Sequence, residues 1–140
     1  MKNKKMSLDN TNGNYSPPAT IPTITSGFYQ PTSSAEVNID GLIAFDRATY
    51  LRVDNVVTVS GQLSMAIDTA LLQTTFEITL PVGAVFSMQG QLSGVINCGE
   101  SASMSGSIKA NITNHTAEIS IIPPDFLNNT WTYVFTYRLT

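Results

Sequence analysis

The chain has 140 residues, with ten acidic and seven basic side chains, a net charge of −3 and a pI near 4.8. This balance excludes a nucleic-acid binder, which needs a basic face, and the length allows one domain with its own core plus an appendage. Charged residues are only 12% of the chain, against roughly 25% in ordinary soluble domains, while 42% is hydrophobic, so apolar surface covered by other subunits is expected.

The opening MKNKKMSLDN carries positive charge but no apolar stretch behind it. No run approaches the ~20 apolar residues needed to cross a bilayer, so neither Sec-type export nor membrane insertion is expected. Up to about residue 25 the chain reads as an extended arm, with Pro17, Pro18 and Pro22 opposing helix and regular sheet and few bulky side chains to pack. Such a segment is ordered only when tied down, by a neighbouring chain or by its own domain. Residues 26–40 are a transition in which Gly27, Phe28 and Tyr29 pair briefly before Pro31 interrupts. The division is therefore an arm over 1–35 and a β-domain over 36–140.

GLIAFDRA at 41–48 is the first full strand. YLRVDNVVTVSGQLSMAI at 50–67 follows as a hairpin, with an Asp54-Asn55 turn and then sustained alternation. Val57, Val59, Gly61, Leu63, Met65 and Ile67 fall on one face, opposite Thr58, Ser60, Gln62 and Ser64. Residues 69–73 have the length of one helical turn, too short to outlast the flanking strands. Phe76, Ile78 and Leu80 alternate inward before Pro81 and Gly83. Further strands are predicted at 95–98, at Met104, Gly106 and Ile108, and at 116–122 with Ala117, Ile119 and Ile121 inward. The last strand alternates Trp131, Tyr133, Phe135, Tyr137 and Leu139 with polar residues and Val134, a pattern that locks the C-terminus inside a sheet. Seven or eight strands without an amphipathic helix predict an all-β, antiparallel two-sheet sandwich of jelly-roll type. An immunoglobulin-type sandwich lacks its Cys…Trp…Cys pattern here.

Chemistry-bearing residues are sparse. His115 is the only histidine, with no Cys or carboxylate at ligand spacing, and reads as an exposed loop residue. Cys98, the single cysteine, excludes an internal disulfide framework and reads as a small core residue. Asp40, Asp46 and Asp54 are close in sequence, but strand alternation and the hairpin tip separate them, which argues against a glycosidase pair. Trp131, Tyr133 and Tyr137 would suit a sugar-stacking platform, but their strict alternation favours packing. No catalytic residue, cofactor or metal site is predicted.

YLRVDNVVTVSG at 50–61, ITLPVGAVF at 78–86 and the closing WTYVFTYRL resemble a small β-domain that recurs in virion proteins of tailed bacteriophages, at fibre tips, in baseplates and in head fibres. That group often places Gly where this chain has Asp54. The resemblance covers about residues 39–139 and implies a trimer of jelly rolls with no enzymatic activity. It further implies an N-terminal arm that attaches the module to a capsid or neck protein. On this chain the attachment residues would be Lys2, Lys4, Lys5, Met6, Leu8, Tyr15, Pro17, Pro18, Ile21 and Ile24. The absence of shaft repeats and heptads favours a head fibre or capsid decoration on the virion surface over the tip of a long tail fibre. The alternative is a module binding a host surface glycan or protein through loops 84–91 or 125–129.

The hairpin also carries a conflict. A two-residue turn pairs Val53 with Val56 and Arg52 with Val57, which puts Tyr50 and Arg52 on the face of Val57 and Val59 while Leu51, Val53 and Val56 face the other way. Either a bulge flips the first arm, or both faces are covered, one by the core and one by another subunit. The second is the expectation, with Tyr50, Leu51, Arg52 and Val56 near a threefold contact.

Overall fold

A computed structural model of the protein describes residues 20–100, 104–124 and 128–139. It contains β1 (Ile24–Tyr29), β2 (Ser33–Val37), β3 (Ile39–Phe45), β4 (Ala48–Val53), β5 (Val56–Ile67), β6 (Thr74–Ile78), β7 (Leu92–Cys98), β8 (Ser105–Asn111), β9 (Thr116–Ile121) and β10 (Asn129–Arg138). Every pairing is antiparallel, in the order β1-β4-β5-β10-β7-β8-β9-β6-β2, with β3 on β5. The fold is all-β: a sandwich of jelly-roll type made by one sheet curled on itself.

The reason for the curl is topological. β1 and β2 end opposite flanks of the strand order, yet only residues 30–32 separate them in sequence. Counting alternate directions through the sheet, the two run the same way, so residues 24–37 are one long strand that changes partner at buried Pro31. Proline lacks an N–H, and here it sits where the strand leaves one ladder for another. The seam is held by Thr32, whose N–H donates to Thr79 Oγ1 at 3.1 Å, and by the Thr79 N–H donating back to the Thr32 carbonyl at 3.1 Å. The Tyr29 hydroxyl adds a third bond, to the Thr79 carbonyl, at 3.1 Å.

β3 and β4 are likewise two segments of one arm. β4 pairs with the N-terminal half of β5 and β3 with its C-terminal half. Across the break the Asp46 N–H still donates to the Gln62 carbonyl at 3.0 Å. The hairpin turns at Asp54, whose φ of 53° is positive while Asn55 is not among the positive-φ residues, the signature of a II′-type rather than a I′-type turn. Thr23 clamps this tip, its N–H bonding Asp54 Oδ1 at 2.9 Å and its carbonyl accepting from the Asp54 N–H at 2.8 Å.

The core follows the alternation of β5 and β10. Val57, Val59, Leu63, Met65 and Ile67 are at most 3% exposed, as are Trp131, Tyr133, Phe135 and Tyr137. Burying side chains of this size stabilises by about 1.5–3 kcal/mol each. Gly61 faces inward opposite Tyr133 because there is no room for more: a Cβ there would lie 2.4 Å from the phenol oxygen.

Several elements differ from the sequence expectation. The sheet begins at Ile24, ahead of the boundary drawn between 35 and 36, and β2 lies where an unstructured transition is predicted. Both strands are short on buried apolar residues, so periodicity does not reveal them. Residues 69–73 form no helix, as their length led one to expect, but a turn with Leu71 at φ 66°; the helical turn among the described residues is the 3-10 turn Gln89–Gln91, where none was expected.

Candidate interaction surface

The isolated polar residues are absorbed into structure. His115 is not an exposed loop residue: it is half-buried at φ 58°, and its Nδ1 accepts the Phe86 N–H at 3.1 Å, tying the 79–91 connection to the β8–β9 turn. Cys98 is buried, with Sγ 3.3 Å from Glu100 Oε2. That thiol, together with the Thr130 N–H, holds the exposed Glu100 carboxyl below its ordinary range. Asp46 accepts from Gln62 Nε2 at 3.0 Å, and Asp54 caps the hairpin, so neither is free for chemistry. Trp131, Tyr133 and Tyr137 line the core rather than a platform.

Sequence reasoning missed Glu77, which is only 5% exposed. Its carboxylate accepts from Asn111 Nδ2 at 2.8 Å, from Asn114 Nδ2 at 3.0 and 3.1 Å, and from the Thr116 hydroxyl at 2.8 Å. Opposite it, Glu118 pairs with Lys109 at 3.3 Å. Four hydrogen bonds from three side chains on a buried carboxylate make a structural staple for the β8–β9 turn, because desolvated charge persists only when so satisfied. Among the described residues no three His, Cys, Asp or Glu side chains converge as a metal site.

What remains is a surface. Reading registers across the sheet places Phe28, Thr49, Ser60, Val134 and Val95 in one outward row, and Ser26, Leu51, Thr58, Thr136 and Ser93 in the next. Ile24, Val53, Val56 and Arg138 form a third. The hydroxyls partly satisfy one another, Thr58 with Thr136 at 3.2 Å and Thr49 with Ser60 at 3.1 Å. No carboxylate occupies any of these positions. Of these rows, the one through Ser93 continues onto β8, β9 and β6 as Lys109, Glu118 and the buried Glu77, while the one through Val95 continues as Ser107, Ser120 and Thr75.

Of the hairpin residues, Leu51 and Val56 lie on this surface, whereas Tyr50 and Arg52 do not. The β4–β5 register runs unbroken from Thr49↔Ser60 to Val53↔Val56, without the bulge that would flip the arm. Tyr50 and Arg52 therefore stay on the Val57–Val59 face, where Tyr50 packs edge-on to Tyr29 and Arg52 Nε donates to the Asp54 carbonyl at 2.7 Å. Leu51, 47% exposed, and the half-buried Val56 point outward. Of the attachment residues, Ile21 and Ile24 are exposed, and Ile24 opens β1. Lys2, Lys4, Lys5, Met6, Leu8, Tyr15, Pro17 and Pro18 lie outside the described residues.

Compared with known proteins, the chain matches no family model, no curated protein and no solved structure.

Proposed function

We propose that the protein is a non-enzymatic structural component of a tailed-bacteriophage particle: a homotrimeric head fibre or capsid decoration attached by its N-terminal arm. The observation that carries this reading is the hairpin sequence YLRVDNVVTVSG together with the closing WTYVFTYRL. They form the adjacent strands β4, β5 and β10 of a jelly-roll-type sandwich. Support also comes from charge: Lys2, Lys4 and Lys5 stand against a single acid, Asp9, before residue 20, while the rest of the chain is strongly acidic. Such a tail suits docking to an acidic partner surface.

Deleting residues 1–19 tests the attachment role without cutting β1 or the Thr23–Asp54 clamp. The truncated protein should fold and assemble as the full chain does but be absent from purified particles. Normal incorporation of the truncated protein would refute arm docking.

A second reading, recognition of a host surface glycan or protein, is favoured by one observation. In the segment before β7, Val85 and Met88 are 60% and 64% exposed, although buried Phe86 and the Gln91 side chain hold the loop. Saturable binding of the protein to host cells, lost on Met88→Asp, would support it.

A further inference from the structure

The half of the sheet from β1 to β7 presents seven outward apolar residues, Ile24, Phe28, Leu51, Val53, Val56, Val95 and Val134. All but Val56 are 39–65% exposed, and Val95 sits directly across from Val134. Isolated exposed apolar residues need no explanation, but several on one face do. Here Ile24, Leu51, Val53 and Val56 gather at the hairpin and Val95 with Val134 farther along, with Thr58, Ser60 and Thr136 between the two groups. These rows hold no carboxylate, and their cations lie at two margins: Arg138 at the end of β10, and Arg47, whose guanidinium carbon sits 4.8 Å from the Phe28 ring centroid. On the other half of the same sheet, the row of Ser93 continues into the Lys109–Glu118 ion pair. Depletion of charge from one face alone is the composition of an interface centre.

We infer that the outward face of β1, β4, β5, β10 and β7, centred on Val95 and Val134, packs against a second copy of this chain. Self-association requires that like charges do not confront one another, and a face without carboxylates on a net acidic chain meets that requirement. Size fits as well. Five strands about 4.8 Å apart span roughly 24 Å, and strands of six to twelve residues run about 20–40 Å, which gives on the order of 500–950 Å² per partner. Stable interfaces use about 800 Å² a side. A shallow depression of about 140 Å³ between Val95, Asn97, Thr132 and Val134 offers a seat for a side chain of the neighbour. The inference deepens the homotrimer reading and rests on it for the partner's identity.

The test is sedimentation equilibrium on the full chain. Wild type should sediment at a multiple of 15.1 kDa. Val95→Glu with Val134→Glu should return it to the monomer mass, weakening association at least ~10-fold. Leu42→Glu, at an 89% exposed site on β3 outside this face, should leave the assembly intact. Circular dichroism and the emission of buried Trp131 report whether each variant folds. If the double variant does not fold, Thr136→Glu at an exposed outward position provides the same reading. A monomeric wild type overturns the inference, even if the face then captures another protein, and so does a folded face variant that keeps the wild-type mass. Copurification with particles is measured separately: its failure refutes the phage reading and leaves the self-association result standing.

Discussion

Inward-facing glycines set where the largest side chains can lie. A Cβ at Gly94 would come 2.2 Å from the Val134 carbonyl oxygen and 2.5 Å from Phe135 Cβ. Backbone in the middle of β10 cannot retreat, unlike the far end of a flexible side chain. Gly94→Ala should therefore cost about 1–3 kcal/mol through overpacking, read as a lower urea midpoint with unchanged slope. A neutral substitution would show that β7 can shift. At this scale the sequence was least legible. Alternation marks Gly61 and Gly106 as inward, but only the tertiary contact explains why they are glycine. Nothing local marks Glu77 as buried, since its donors Asn111, Asn114 and Thr116 arrive from a turn more than thirty residues away.

At the scale of elements, the strong signals are those where period-two patterning and burial agree. β5 and β10 alternate strictly, and the structure buries the parity the sequence assigns them. β1 and β2 carry little apolar patterning because they are edge segments with exposed side chains, so their pairing is decided by partners far along the chain. The junction between β2 and β3 is the place where the sheet divides. There Asn38, at φ 66°, accepts the Thr69 N–H with Oδ1 at 2.8 Å, and its Nδ2 donates to the Thr69 carbonyl and to Thr74 Oγ1, both at 2.8 Å. Asn38→Ala loses these bonds and leaves in the left-handed region a residue that tolerates it less well than asparagine, for an expected loss of about 2–4 kcal/mol. Asn38→Gly loses the bonds alone and should be about 1 kcal/mol milder. Equal midpoints for the two variants in denaturant would show that the backbone conformation contributes nothing.

For the whole molecule, the interior joins β1 to β10 through phenols that are disfavoured as anions. Burial raises Tyr137 to about 12. Burial raises Tyr29 and Tyr133 further still, with the neighbouring phenols adding to the effect at Tyr29. In the unfolded chain the same groups ionise near ~10. The unfolded state then sheds protons that the folded state retains, so stability is full below that value and falls as pH rises through the folded values. The urea midpoint should be flat up to about pH 10 and drop steeply above it, with phenolate absorption from these tyrosines appearing together with unfolding. Titration of all five tyrosines near 10 in the folded protein would contradict this.

The sequence by itself determined the fold class, the hairpin with its unbulged register, and the parity of the two central strands, because alternation between apolar and polar residues is local information that burial enforces. Only the tertiary structure decided that residues 24–37 form one strand switching partner at Pro31, closing the curled sheet. It also decided that Glu77 is buried beneath the β8–β9 turn, and that the outward rows of β1, β4, β5, β10 and β7 hold no carboxylate. Those outcomes depend on which distant strands become neighbours, and the cost of bringing them together is met by the whole core rather than by any stretch that can be read alone.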